Sequence, residues 1–270
     1  ISSRKKRPGW SQTAVKLECK MLATRIIPCL DVDEGSVFKG IRFKNLIAAG
    51  DPVRLAQHYY EEGADELTFL DIGASWKSRK TLIGVVEKVS RVISIPLCAG
   101  GGVKSLSDIK ELLRAGADKV SICTAALENP LLLREASLAF GSQSIVLSID
   151  AGRVGQGWHA FMKGGRIDSG LEAADWARKG VELGAGEILL TSIDRDGTKE
   201  GYDLELLRTI SDKVSVPVIA SGGAGCLEDI YEAINTGKAD AVLLASLLHF
   251  GELNIPEIKN YLKSKGVKVR

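Results

Sequence analysis

Eight short runs of almost unbroken apolar sequence, each followed by a longer amphipathic stretch, set the strongest constraint on this chain. They are RIIPCLDV (25–32), ELTFLDI (66–72), IPLCAGG (95–101), KVSIC (119–123), SIVLSID (144–150), EILLTSI (187–193), VPVIASGG (216–223) and ADAVLLA (239–245). A strand with one wet face alternates apolar and polar residues. A run that is apolar at nearly every position belongs to a parallel strand covered on both faces. Between the runs lie helical stretches such as DPVRLAQHYYEEG and SLSDIKELLRAG, several of them opening on Ser, Asp or Asn and closing on Gly. Eight such units in 270 residues predict an α/β fold, a closed (β/α)8 TIM barrel rather than an open doubly wound sheet. One insertion, GQGWHAFMKGGRIDSG after the fifth run, reads as a small hairpin.

The barrel is expected to consist of two similar halves. GGGVKSLSDIKELLRAGADKVSICTAA (100–126) and SGGAGCLEDIYEAINTGKADAVLLASL (221–247) share one pattern: paired glycines, a helix, a turn ending in Ala-Asp, then a strand closing on a hydroxyl. Asp31 and Asp150 close the first and fifth runs at the same half-barrel spacing. An internal repeat of this length explains both facts, and an open sheet explains neither.

Bulk properties narrow the function by exclusion. The net charge of +2 offers no electrostatic attraction to nucleic acid or a membrane surface, and no apolar stretch nears the ~20 residues of a transmembrane helix. The five cysteines, Cys19, Cys29, Cys98, Cys123 and Cys226, form no CxxC pair. That usage fits a reducing cytoplasm rather than a disulfide framework or a zinc site. His58, His159 and His249 are too dispersed for a metal cluster, so neither metal nor cofactor is expected. Residues 1–20 are basic at their start, lack apolar periodicity and have no signal-peptide core. They read as an N-terminal extension, with the barrel domain spanning 21–270.

In such barrels the reacting groups sit at the C-terminal ends of the strands. Those ends supply Asp31, Asp71, Gly100 to Gly102, Thr124, Asp150, Thr191, Asp194, Asp196, Gly197, Gly222, Gly223 and Ser246. Gly101 and Gly102, and again Gly222 and Gly223, precede helices, where glycine lets backbone N–H groups approach an anion closely. Thr124 and Ser246 end the neighbouring strands and can each add a hydroxyl donor. Two such loops half a barrel apart point to a long ligand carrying a phosphate at each end. Asp31 and Asp150, facing each other across the mouth, can then divide general acid and general base between them.

RIIPCLDV, FLDIGAS, GGGV, ADKVSICTAA, FGSQSIVLSIDA, GAGEILLTSIDRDGT, GYD and IASGGAG, in that order, resemble the cyclase subunit of imidazole glycerol phosphate synthase, from about Met21 to the C-terminus. The resemblance implies a lyase step of histidine biosynthesis. Ammonia and a bisphosphorylated ribulosyl-formimino-carboxamide nucleotide would give imidazole glycerol phosphate and an aminoimidazole carboxamide ribotide. It places the catalytic pair on Asp31 and Asp150. The phosphate loops fall on Gly102 with Thr124 and on Gly223 with Ser246, and a further acid on Asp196. The lysine of a mobile first loop falls on Lys39, within DEGSVFKGIRFKN. It also implies a glutaminase partner docked on the N-terminal face, an ammonia gate of Arg25, Glu66, Lys119 and Glu187, and Asp118 in the docking surface.

Two positions depart from the family pattern: Cys123 stands where Asn is usual, and Gly73 where Thr is usual. A thiol hydrogen-bonds weakly beside an amide, so Cys123 is expected to slow turnover if Asn orients the substrate. The competing readings are the sister barrel that isomerises the preceding phosphoribosyl intermediate, and a non-catalytic barrel that stimulates the glutaminase.

Overall fold

A computed structural model of the chain describes residues 23–33, 36–41, 44–73 and 76–270; the expected extension, residues 1–20, lies outside them. Twelve strands are present among the described residues: β1 (Arg25–Asp33), β2 (Ser36–Ile41), β3 (Lys44–Gly50), β4 (Leu67–Asp71), β5 (Leu97–Gly100), β6 (Lys119–Ile122), β7 (Ile145–Val154), β8 (Gly157–Met162), β9 (Ile167–Glu172), β10 (Glu187–Ser192), β11 (Val218–Ser221) and β12 (Ala241–Leu244). Eight of them form a closed parallel ring in the order β1-β4-β5-β6-β7-β10-β11-β12, with β12 pairing back to β1 and β7 pairing with β10. The expected (β/α)8 barrel is therefore present, and β1 and β7 stand on opposite sides of it. Around the ring run α1 (Pro52–Glu61), α2 (Trp76–Val89), α3 (Leu106–Arg114), α4 (Thr124–Glu128), α5 (Leu131–Phe140), α6 (Ala173–Glu182), α7 (Leu204–Lys213), α8 (Leu227–Asn235), α9 (Ser246–His249) and α10 (Ile255–Ser264).

Local chemistry starts these helices where the sequence indicates. Asp51 accepts from the Val53 and Arg54 N–H groups, with Pro52 opening α1. Ser105 and Asp108 close a reciprocal capping box at α3.

Strand alternation separates two cores. Ile26, Leu30, Phe69, Ile122 and Ile188 point outward against the helices, whereas Ile27, Cys29, Cys98, Val146, Leu189 and Ile219 fill the barrel interior. Phe69 is fully buried, which contributes about 2 kcal/mol by area. The Ala-Asp turns that ended each helical repeat fasten neighbouring strands. The carboxylates of Asp65, Asp118 and Asp240 accept from the N–H groups of Ile26, Leu97 and Val218 at 2.8, 2.9 and 2.9 Å.

Two antiparallel hairpins rise from opposite strands. The expected one after the fifth barrel strand is β8–β9, pairing with the extended end of β7. The stretch containing Lys39, read from sequence as a loop, is instead the hairpin β2–β3, continuing from β1. Both parent strands run beyond their aspartates: Asp31 pairs across from Phe38 and Asp150 from Phe161. The twofold plan thus extends into the insertions.

Candidate active site

Alternation along each strand fixes which side chains enter the barrel. On β1 the inner positions run Arg25, Ile27, Cys29, Asp31; on β7 they run Val146, Ser148, Asp150; on β10, Glu187, Leu189, Thr191. The same strands therefore carry charge at both ends of the interior, separated by apolar layers.

At the N-terminal end the four charged residues form a closed ring. Arg25 donates to Glu66 at 2.7 Å and to Glu187, while Lys119 donates to Glu66 at 2.8 Å and to Glu187 at 2.7 Å. Glu66 is 1% exposed, so both carboxylates depend on these cations. Burial alone lowers the Lys119 ammonium pKa, but Glu187 and Glu66 outweigh it and raise the group overall. Cys98 sits above the ring with its thiol pushed up by burial and by the Glu66 charge. Asp118 is exposed at this face, with one oxygen committed to the Leu97 N–H.

The C-terminal end gathers the expected acids. Asp31 is buried and accepts from the Cys29 thiol, Sγ to Oδ1 3.6 Å. Asp150 is recessed at the mouth opposite. Burial pushes its carboxyl up to about 6; the Cys123 thiol pulls it down and the Asp196 charge raises it further. The Cys123 Sγ lies 3.8 Å from Asp150 Oδ2 and 3.9 Å from the Phe161 carbonyl oxygen. Its own thiol is raised well above the ordinary value by burial and by Asp150, so it stays protonated and donates. Thr191, buried, pairs in register between Asp150 and Ser221.

The second glycine turn opens into a cavity of about 390 Å³, mouth included, lined by Asp196, Gly197, Ser221, Gly222, Gly223 and Ser246 among others. Gly222 and Gly223 adopt φ of 88° and 112°, and a Cβ at Gly223 would stand 2.3 Å from the Gly201 carbonyl oxygen. Only glycine fits this turn. The first turn repeats the device at Gly101, φ 91°, packed on the Asp71 backbone, with Gly102 beside it at φ 64°. Thr124 accepts there from the Lys163 N–H at 2.9 Å.

The structure therefore brings Asp196, Gly197, Gly222, Gly223 and Ser246 into one cavity, and sets Asp150 beside Cys123. Lys39 lies in β2, and its side chain lies outside the described residues. Asp194 accepts from the Arg153 N–H at 2.8 Å, and Asp71 accepts from the Gly73 N–H. Ser221 and the Asp31 donor Cys29 were missed in the sequence, although counting by twos along their strands reaches both. Among the described residues no group of three His, Cys, Asp or Glu is placed to hold a metal ion. No described helix is long and apolar enough to cross a membrane.

A sequence model of the histidine biosynthesis protein family matches residues 25–254, from the first barrel strand to beyond the last. The chain belongs to this family. Within the histidine biosynthesis family it is similar to imidazole glycerol phosphate synthase subunit HisF from Dehalococcoides mccartyi strains BAV1 and CBDB1. Each is 56% identical over 250 residues, covering 93% of this chain and 99% of the relative. A third HisF from the same species is 57% identical over the same span. These relatives carry the name of the synthase subunit, which favours the first of the two half-barrel readings over the isomerase.

Proposed function

We propose that the barrel mouth is the cyclase site of imidazole glycerol phosphate synthase, with Asp31 and Asp150 as its acid–base pair. The observation that carries the reading is the placement of these two inward-facing carboxyls on opposite strands, β1 and β7, with a glycine turn in each half-barrel. A bisphosphorylated nucleotide would lie across the mouth. One phosphate would take the donors of Gly101, Gly102 and Thr124, the other those of Gly222, Gly223 and Ser246, and the reactive centre would rest between the aspartates.

Asp150, held near pH 6 by burial, suits the general acid. Titrating only about one pH unit below neutrality, it can take up a proton and deliver it as ammonia adds to the substrate's ribulosyl carbonyl and water is lost. Asp31 takes the complementary base role during ring closure and cleavage. Asp196, adding its charge to Asp150, and Thr191 position the polar middle of the substrate. Lys39 closes over it from the first hairpin.

Ammonia would come from a glutaminase partner bound to the N-terminal face, with Asp118 in that surface. The ring of Arg25, Glu66, Lys119 and Glu187 would act as the gate, since paired charges can exchange partners without leaving any of them bare. The described cysteines are all free thiols, in keeping with a cytoplasmic enzyme. The test is an ammonia-dependent cyclase assay on the wild type, Asp31→Asn and Asp150→Asn. Loss of product in both variants supports the pair, and full turnover in either removes it.

A further inference from the structure

The second hairpin does more than decorate the rim. Its tip carries Lys163, at φ 55°, then Gly164, Gly165 and Arg166. The Lys163 N–H donates to Thr124 Oγ1 at 2.9 Å, and the Phe161 carbonyl lies 3.9 Å from Cys123 Sγ. The tip is therefore seated on the end of β6, over the hydroxyl of the first glycine turn. A hydroxyl has one proton and two lone pairs. Lys163 takes one lone pair of Thr124 and the hydroxyl proton faces the Cys123 sulfur, a weak acceptor that an anion at the turn would displace.

Charge decides what the tip is for. A phosphate monoester carries about −1.5 to −2, and the mouth already holds Asp31, Asp150 and Asp196, so the first turn's neutral donors need a cation beside them. At the second turn the nearby cations are committed: Arg195 pairs with Glu200 and Lys199 with Glu252. Lys163 and Arg166 are exposed, and among the described residues no ion pair joins either to a carboxylate. The twofold plan agrees. Phe38 opposite Asp31 is followed by Lys39 and Gly40, and Phe161 opposite Asp150 by Met162, Lys163 and Gly164.

We infer that the β8–β9 turn is the cationic wall of the first phosphate subsite, with the side chains of Lys163 and Arg166 binding the phosphate held by Gly101, Gly102 and Thr124. This rests on the phosphate reading above. Substitution at residue 163 keeps the backbone N–H on Thr124, so the charge can be tested apart from the hydrogen bond.

The test is KM and kcat for the bisphosphate substrate, with saturating ammonium, in Lys163→Gln/Arg166→Gln, Lys163→Arg, Thr124→Val and, as a control for net charge, Lys263→Gln. The expected result is a KM raised roughly tenfold in the double variant, as loss of charge-assisted bonds to phosphate implies. Its kcat should stay within about twofold, while Lys163→Arg and Lys263→Gln keep the wild-type KM. If Thr124→Val raises KM but the double variant does not, the cationic wall is wrong and the phosphate site stands. If neither raises KM, the phosphate reading fails and the wall falls with it.

Discussion

Asp150→Asn should make the protein more stable and less active, with a pH signature that separates the two causes. Burial lifts the Asp150 carboxyl from the ordinary 3.8 to about 6. A gap of about 2 pH units at 1.36 kcal/mol each corresponds to about 3 kcal/mol lost when the group ionises inside the fold. The carboxyl is raised in the folded state, so the stability it contributes is fully present below pH 3.8 and gone once the pH has climbed past about 6. Asparagine keeps the shape and never ionises. At pH 4 the variant and the wild type should therefore unfold nearly alike. At pH 7.5 the variant should lead by up to about 3 kcal/mol, or roughly 6–12 °C in Tm for a chain of this size. Its kcat/KM should fall by roughly 10²–10⁴, the usual contribution of a positioned acid or base. Thermal melts at the two pH values, run beside the cyclase assay, measure both effects. A variant that melts lower than wild type by the same margin at both pH values would refute the reasoning, because the carboxylate would then be a structural partner rather than a strained acid.

Cys123→Asn should raise kcat/KM several-fold by giving Asp150 a stronger donor. Cys123→Ala should move the alkaline limb of the pH–rate profile upward, since the thiol's hydrogen bond now lowers the pKa of the general acid Asp150. Glu66→Ala leaves Arg25 and Lys119 with Glu187 alone, and should cost about 3 kcal/mol in chemical denaturation. Its ammonia-driven turnover should survive better than its glutamine-driven turnover in the presence of the partner. Gly101→Ala must force a Cβ to within 2.2 Å of the Asp71 carbonyl oxygen at a positive φ. A drop of about 2 kcal/mol or more in unfolding free energy is expected.

The strands were legible because parallel strands covered on both faces leave an uninterrupted apolar record. IPLCAGG and VPVIASGG contain β5 and β11, and the turn-rich insertion after β7 folds as the hairpin its glycines suggested. The placement of Asp31 and Asp150 on opposite barrel strands was legible because each closes an apolar run and the two runs lie half a barrel apart. The stretch from Asp33 to Gly50 hid its strands: it mixes glycine, charge and isolated apolar residues, and only pairing with the overhang of β1 shapes it into β2 and β3. The capacity of Asp118 to fasten the start of β5 was hidden for a similar reason, since its acceptor role depends on Leu97, 21 positions away. Thr124 was visible as a hydroxyl at a strand end. That a lysine-bearing turn rests on it could be read only from the fold.

The most direct measurement is single-turnover conversion of the bisphosphate nucleotide under saturating ammonium by the wild type and by Asp31→Asn, Asp150→Asn and the double variant. The account predicts product from the wild type, losses of 10² or more in each single variant, and a double variant little worse than either single one, as for groups acting as a unit. Product formed at the wild-type rate without either carboxyl would contradict it.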